Sequence, residues 1–286
     1  MDKKIIGILA IIGASLMWAL EPIFAKLAYK SSSVFQTFAI RSLCILSIAF
    51  LYVVLTNRAK FKINKKQFGV IFYIGIVGTL FADLLYLYSL TKITVLNAVL
   101  IAHLQTIFII IFGFFVLKEK LNKFDYIGIF LLILAGIFVS IGSIENLLLL
   151  KLGNIGDLLV LISTIAWATT AIAMKKYLVK MNAGVISFYR ALVVSVIFWI
   201  YIIFFLGMGE FNKFQFFLGI FVGIGTILYY EGLKRIKAAQ VSALELSTPF
   251  FSAALGYFVL NEKITLMQAI GLILLILGIY VISKKE

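Results

Sequence analysis

The chain alternates between long apolar segments and short polar ones. A helix needs about 20 apolar residues to cross the hydrocarbon core of a bilayer, which is about 30 Å thick. Windows of that length, bounded by charged or turn residues, predict ten membrane-spanning helices. They cover residues 5–28, 34–56, 68–90, 95–117, 124–144, 155–177, 183–206, 214–233, 238–260 and 264–283. Because the intervening loops are short, consecutive helices are expected to be antiparallel neighbours.

The composition supports lipid as the solvent for most of the chain. Of 286 residues, 63% are hydrophobic and 13% are charged, and the mean hydropathy is +1.13. So few ionised groups cannot cover a soluble particle of 32.0 kDa, which excludes soluble enzymes and nucleic-acid-binding domains. The single cysteine, Cys44, lies in an apolar run, so neither a disulfide nor a thiolate metal site is predicted, and no cofactor is expected.

The net charge of +14 comes mainly from the loops and predicts the topology. Eighteen of the 26 basic residues fall in segments on one side of the membrane, six on the other, and two within spans. By the positive-inside rule, both termini are expected on the cytoplasmic side of the cell membrane. Lys3 and Lys4 precede the first apolar run as in a signal peptide, but the run is long and lacks a small-residue cleavage site, so we expect it to be retained.

The sequence contains an internal repeat, with a first half over residues 1–150 and a second over 151–286. Trp18 and Arg41 recur 149 positions later as Trp167 and Arg190. Further along, the segment GFFVLKEKL starting at residue 113 recurs as GYFVLNEKI 143 positions later. Five spans per half is an odd number, so the second half is predicted to enter the membrane inverted. Inverted repeats underlie alternating access in many transporters.

The second half also resembles a known family. Pro249, the run from Leu260 to Thr265, and Gly271 and Gly278 are similar to the C-terminal signature of EamA-type members of the drug/metabolite transporter superfamily. The resemblance implies ten helices in two inverted repeats and a secondary carrier, usually an exporter of amino acids or other small metabolites. In the first half, Thr106 stands at the position that matches Pro249, so no matching proline break is expected there.

Several ionisable residues fall inside the predicted spans, where a charge costs at least about 2.5–3.5 kcal/mol. Counting about 1.5 Å per residue divides them into two layers. The outer layer contains Glu21, Arg41, Asp83 and His103. The inner layer contains Arg190, Glu231 and Glu245. Each layer holds two carboxylates and one arginine, which predicts two polar clusters around an aromatic midplane.

The aromatic residues Trp18, Tyr86 and Trp167 are expected to line a substrate pathway between these clusters. Trp18 shares a helical face with Glu21, and Tyr86 shares one with Asp83. A carboxylate beside an arginine in such surroundings is a candidate proton site. Membrane-interface packing of the two tryptophans is the alternative explanation.

Structural roles remain open for several of the charges. Arg41 and Arg190 are close enough to helix ends to extend toward the membrane surface or to bind loop carbonyls. Glu231 could pair with Lys234 or Arg235. The single histidine could either sense pH or satisfy a backbone group.

These observations predict a secondary active transporter, with proton antiport as the expected coupling. The resemblance implies that it is an exporter of small metabolites such as amino acids. A flippase for a lipid-linked or amphiphilic substrate on the same fold is the alternative. An enzyme is not predicted because the histidine, the cysteine and the scattered carboxylates form no convergent catalytic set. A homodimer could use the face of the last span that carries Gly271 and Gly278.

Overall fold

The protein is an all-helical membrane protein in a computed structural model. The structure describes residues 3–56, 61–118, 121–141, 143, 145, 153–178, 181–207, 209–233, 235, 236, 241, 244, 245 and 247–283. Within these ranges there is no β-strand. Eight of the described helices are long and apolar enough to cross a membrane, and two further apolar helices are shorter.

We number the helices in chain order. They are α1 (Lys3–Ala28), α2 (Val34–Thr56), α3 (Lys65–Ser89), α4 (Val95–Leu117), α5 (Lys123–Ile141), α6 (Ile155–Tyr177), α7 (Ala183–Leu206), α8 (Lys213–Leu233), α9 (Ser247–Leu260) and α10 (Leu266–Ser283). The observed ends lie within a few residues of the predicted ones wherever the chain is described. Of the predicted span 238–260, residues 238–240, 242, 243 and 246 lie outside the described residues.

Side-chain caps explain where several helices begin. The Asn64 side chain accepts a hydrogen bond from the backbone N–H of Gln67 at the start of α3, and the Gln67 side chain accepts one from the backbone N–H of Asn64. Asn154 and Asp157 form the same reciprocal box at the start of α6. Such caps satisfy backbone donors that the first turn of a helix leaves unpaired.

Two of the helices that form the site are irregular. In α3, Ile74–Asp83 is π-helical, and α4 is interrupted at Leu104 between Val95–His103 and Gln105–Leu117. The interruption in α4 occurs although Thr106, and not proline, stands at the position equivalent to Pro249. Departures of this kind re-aim side chains and are frequent at functional sites. They leave Asp83 and His103 each at the end of an irregular or broken segment.

The helices pack in pairs that join the two halves of the chain. Helix α1 packs against α8 and α9, whereas α6 packs against α3 and α4. Helix α2 lies between α7 and α8, and α5 packs along α10. Small residues allow close approach: a Cβ atom placed on Gly219 of α8 would lie only 2.5 Å from Cys44 Cβ of α2. The absence of a side chain at Gly219 therefore lets α2 and α8 pack closely.

The glycine face of α10 is already occupied. A Cβ atom on Gly271 would lie 2.5 Å from Val139 Cγ2 of α5, and one on Gly278 would lie 3.1 Å from the Gly128 carbonyl oxygen. The prediction that this face could serve a homodimer is wrong, because α5 of the same chain covers it.

Candidate functional site

Arg41 of α2 is at the centre of a buried ionic cluster. Its Nη2 atom lies 2.8 Å from Glu21 Oε1 of α1. Its Nη1 atom donates to Asp83 Oδ2 of α3 at 2.9 Å. Only 5% of the arginine side chain is exposed, so it does not extend to the membrane surface. The outer cluster predicted from Glu21, Arg41 and Asp83 is thus present, and the alternative of a snorkelling Arg41 is wrong.

The two carboxylates of this cluster are held differently. Asp83 receives aligned hydrogen bonds from both Arg41 and Trp167. Glu21 Oε1 is buried beside the arginine but receives no aligned hydrogen bond from the described residues. Tyr29 and Tyr86 also face Glu21 at electrostatic range. Glu21 is therefore the less constrained carboxylate, and the one more easily released from its partner.

Trp167 connects this cluster to the second half of the chain. Its Nε1 atom lies 2.8 Å from Asp83 Oδ1 and 3.0 Å from the Gly78 carbonyl oxygen. Its ring packs on Tyr86 with centroids 5.4 Å apart. The predicted residues Tyr86 and Trp167 therefore belong to the same cluster, and a movement of α6 relative to α3 would change the surroundings of Asp83.

We predict that Trp167→Phe lowers the free energy of unfolding by about 1.5–3 kcal/mol, because the ring stays but a donor to a charged acceptor is lost. Thermal unfolding of the purified protein in detergent measures the change. Trp199→Phe is the matched control: its Nε1 atom donates at 3.1 Å to the neutral carbonyl of Ala39, so about 0.5–1.5 kcal/mol is expected. Equal losses in the two variants would contradict a special role for the Asp83 bond.

A second polar group lies between α1, α4, α8 and the segment that precedes α9. The rings of Trp18 and Tyr229 are 5.0 Å apart, and Tyr229 faces Glu245 at electrostatic range. The His103 Nδ1 atom lies 2.8 Å from the Val99 carbonyl oxygen, and its ring also interacts with the Glu245 backbone. The structure thus brings together Trp18, His103 and Glu245, although counting residues had put His103 and Glu245 in different layers.

The predicted inner cluster does not form. Glu231 accepts a hydrogen bond from the Tyr52 hydroxyl and pairs with Arg235 one turn away. This ion pair was the structural role that the sequence analysis gave as the alternative for Glu231. Arg190 makes no ion pair with either Glu231 or Glu245, both of which are described, and its Nε atom is buried without a hydrogen-bond partner. Residues at the same depth thus face different neighbours, because depth does not fix the direction in which a side chain points around its helix.

One ionic contact was missed by the prediction. The Lys26 Nζ atom at the end of α1 lies 2.7 Å from Glu262 Oε1 in the loop before α10. The other carboxylate oxygen, Oε2, accepts the Val95 N–H at the start of α4. Glu262 thus ties three segments together at the end of the membrane where α1 ends. The repeat contained the signal, because Lys26 and Glu262 have counterparts in Lys175 and Glu119.

A buried amide network at the same end was also missed. Asn97 of α4 donates to Asp157 Oδ1 of α6 at 3.2 Å, and Gln268 of α10 donates to Asn97 Oδ1 at 2.8 Å. All three side chains are buried. Nothing in the sequence distinguishes them from ordinary helix caps, since Asp157 also caps α6.

A cavity of about 520 Å³ lies at the other end, between α3, α4 and α6. Phe112 and Tyr73 are among its lining residues, and the Tyr73 hydroxyl donates to Thr169 Oγ1 at 2.8 Å. Lys66 and Lys176 also line it, and each ammonium lies 5.5 Å from the centroid of the Tyr177 ring. The cavity therefore combines an apolar wall with two cations near the membrane surface.

Comparison with known proteins gives a consistent result. The model of the EamA-like transporter family matches residues 5–141 and again residues 154–284. An uncharacterised transporter of Methanothermobacter thermautotrophicus is 26% identical over 77% of this chain, and the match spans 66% of that relative's length. The riboflavin transporter ImpX of Fusobacterium nucleatum is 27% identical over 99% of both chains. One crystal structure, 17% identical, superposes with a TM-score of 0.69 over 96% of this chain and 95% of its own.

Proposed function

Because the chain belongs to the EamA-like transporter family, we propose that it is a secondary active transporter that exports small metabolites, such as amino acids, by alternating access and proton antiport. The observation that carries the proposal is the buried Glu21, Arg41 and Asp83 cluster. Ionisable groups at this depth in a membrane are costly, and in transporters they mark ion and substrate pathways. Trp167 joins this cluster to the second half, so the site depends on the relative position of the two halves.

Two observations support an inverted repeat as the basis of alternating access. The family model matches once in each half. In addition, a Cβ atom placed on Gly156 at the start of α6 would lie 2.7 Å from Ile93 Cγ2, just after α3. One on Gly7 at the start of α1 would lie 2.7 Å from Ile236 Cγ2, just after α8. Because α1 and α3 run in the same direction, α6 begins at the end of the membrane opposite to the start of α1. Such an arrangement lets one structure open to either side.

The charge distribution supports an orientation with both termini in the cytoplasm, since eighteen basic residues lie on that side and six on the other. In this orientation the Arg41 cluster and the contact between Lys26 and Glu262 lie toward the outside, and the cavity between α3, α4 and α6 opens toward the cytoplasm. An exporter loads its cargo from that side.

We assign proton coupling first to Glu21. The charged and titratable groups that face it are Arg41, Asp83, Tyr29 and Tyr86. Protonation of Glu21 would leave Arg41 paired with Asp83 alone, so the charge of the cluster changes with one proton. Glu245 is the second candidate, because it lies in the membrane with no ion pair to a described residue and next to His103.

The test is transport by the purified protein in proteoliposomes loaded with amino acids and other small metabolites. With an imposed proton gradient, the wild type is expected to accumulate one class of solute against its concentration gradient. Glu21→Gln is expected to abolish this accumulation but to retain counterflow exchange, because exchange needs no proton. Asp157→Asn, which alters a buried carboxylate outside the cluster, is the matched control and should stay coupled. Proton-driven accumulation that persists in both Glu21→Gln and Glu245→Gln would show that neither carboxylate carries the proton. If the wild type exchanges solutes but accumulates none under the proton gradient, proton antiport is wrong.

A flippase for an amphiphilic substrate is the second candidate, and the cavity favours it. Its lining includes Tyr73, Val116 and Tyr177, all of which are apolar or aromatic side chains with a large exposed surface. A headgroup could therefore bind near Lys66 and Lys176 while an apolar tail stays in lipid. If the active protein exchanges no soluble compound but moves a labelled amphiphile between leaflets, this candidate replaces the first.

A further inference from the structure

The two arginines that correspond in the internal repeat have different surroundings. Arg41 lies between two carboxylates, whereas Arg190 pairs with no carboxylate among the described residues. Their places in the fold are nevertheless equivalent. A Cβ atom on Gly219 of α8 would lie 3.0 Å from the Arg41 carbonyl oxygen, and one on Gly75 of α3 would lie 3.4 Å from that of Arg190. Each arginine therefore lies where its helix crosses a helix of the other half, in contact with a glycine of that helix.

The repeat also shows which residues replace the two carboxylates. With the offset of 149 residues that relates the arginines, Glu21 corresponds to Thr170. Between α3 and α8 the offset is 143 residues, which relates Tyr86 to Tyr229, so that Asp83 corresponds to Thr226.

Packing supports this second offset, because each tryptophan of the repeat contacts the corresponding tyrosine. The centroid of the Trp167 ring lies 5.4 Å from that of Tyr86, and the centroid of the Trp18 ring lies 5.0 Å from that of Tyr229. Tyr230, the residue after Tyr229, lies within electrostatic range of Arg190. The second half has thus kept the arginine and has neutral groups where the first half has acids.

No acid in the part of the chain that the structure describes forms an ion pair with Arg190. Glu231, the neighbour of Tyr230 in sequence, is engaged by Tyr52 and Arg235. The Tyr230 hydroxyl donates to the Met174 sulfur at 3.2 Å, which is a weak acceptor and easily exchanged for a stronger one. An arginine stays protonated in proteins, so its charge cannot be removed by releasing a proton. A charge left alone in this environment is strongly unfavourable unless an anion reaches it.

We infer that Arg190, together with the Tyr230 hydroxyl, binds an oxyanion group of the transported solute, a carboxylate or a phosphate. The inference rests on the proposed transport function and narrows the substrate class to solutes that carry an anionic group. The planar guanidinium suits two parallel hydrogen bonds to one carboxylate or phosphate. Arg41 cannot take this role while its two carboxylates are bound, so the anion site lies in the second half.

The test compares acids with matched amines. Proteoliposomes containing the full-length protein are loaded with amino acids, with the amines that lack their carboxylates, and with small phosphate esters. The wild type is expected to exchange acids and not amines. Arg190→Gln is expected to weaken the apparent affinity for the acids by about tenfold to a hundredfold, the effect of losing hydrogen bonds to a charged group. The apparent affinity of Arg190→Lys for the acids should lie between those of the wild type and Arg190→Gln. Arg235→Gln, which removes a cation near the end of α8, should change this affinity little.

Several results would overturn the inference. Exchange of amines as well as acids by the wild type would do so, as would an unchanged affinity for acids in a folded Arg190→Gln. If Arg190→Gln does not fold, the affinities of Arg190→Lys and Tyr230→Phe for the acids are compared with that of the wild type. An unchanged affinity in both variants would also overturn the inference.

A binding measurement tests the anion site independently of the proposed transport function. If no solute is exchanged, the same acids are added to detergent-solubilised protein and the unfolding temperature is recorded. A rise that is absent in Arg190→Gln or Arg190→Lys supports the anion site although transport has failed, and no rise in the wild type overturns it. A rise that follows the phosphatidylglycerol content of added lipid, and not the solute, would assign the oxyanion to a lipid headgroup and contradict a site for cargo.

Discussion

Replacing Arg41 by glutamine is expected to lower the free energy of unfolding by about 3–5 kcal/mol and to abolish transport. The reason is that Glu21 and Asp83 would remain in the membrane interior without their cation, and removing one member of a buried ionic group leaves an uncompensated charge. Thermal unfolding in detergent and counterflow in proteoliposomes measure the two effects. Arg235→Gln is the control, since its pair with Glu231 is partly exposed and joins residues one helical turn apart, and about 0.3–0.5 kcal/mol is expected for it.

A combined variant distinguishes the effect of an unpaired charge from the effect of lost side-chain packing. In Glu21→Gln/Arg41→Gln/Asp83→Asn all three charges are removed, so no charge is left unpaired. This variant should therefore be more stable than Arg41→Gln alone, because neutral replacement of a whole buried ionic group is much less costly than breaking it. A triple variant that is as unstable as the single one would show that the arginine contributes through shape and not through charge.

The pattern of apolar residues was sufficient to predict the helices but not the irregular segments within them. Most helix ends lie where charged residues or caps such as Asn64 and Asn154 interrupt an apolar run, and both signals are local. The π-helical stretch Ile74–Asp83 and the interruption at Leu104 have no comparable signal, since neither contains proline. They depend on contacts with other helices, such as the bond from Trp167 to the Gly78 carbonyl.

The sequence predicted the part of the candidate site that follows from the depth of each residue in the membrane. Glu21, Arg41 and Asp83 lie at one depth and also face one another, so counting along the helices brought them together correctly. Arg190 and Glu231 also lie at one depth but face different neighbours. That difference is set by the rotation of α7 and α8, which a residue count does not contain. A cluster in a membrane can thus be predicted from depth only when the facing directions are known from a repeat or from packing.

Close approach of α2 and α8 is what holds Arg41 in place, and it can be tested without touching a charge. Gly219→Ala is expected to destabilise the protein by about 1–3 kcal/mol. Its Cβ atom would lie 2.5 Å from Cys44 Cβ and 2.9 Å from Arg41 Cα, where only a shift of the helix backbone could make room. The same shift would move Arg41 relative to Asp83, so the transport rate should fall together with the unfolding temperature.

Gly69→Ala is the matched control for this substitution. A Cβ atom there meets no other group within 4 Å, and alanine favours a helix over glycine by about 0.5–1 kcal/mol. The two variants carry the same chemical change, so they should shift the unfolding temperature in opposite directions. If Gly219→Ala is as stable as Gly69→Ala, the two helices are not in the close contact that positions the arginine, and the rigidity of the ionic cluster must have another origin.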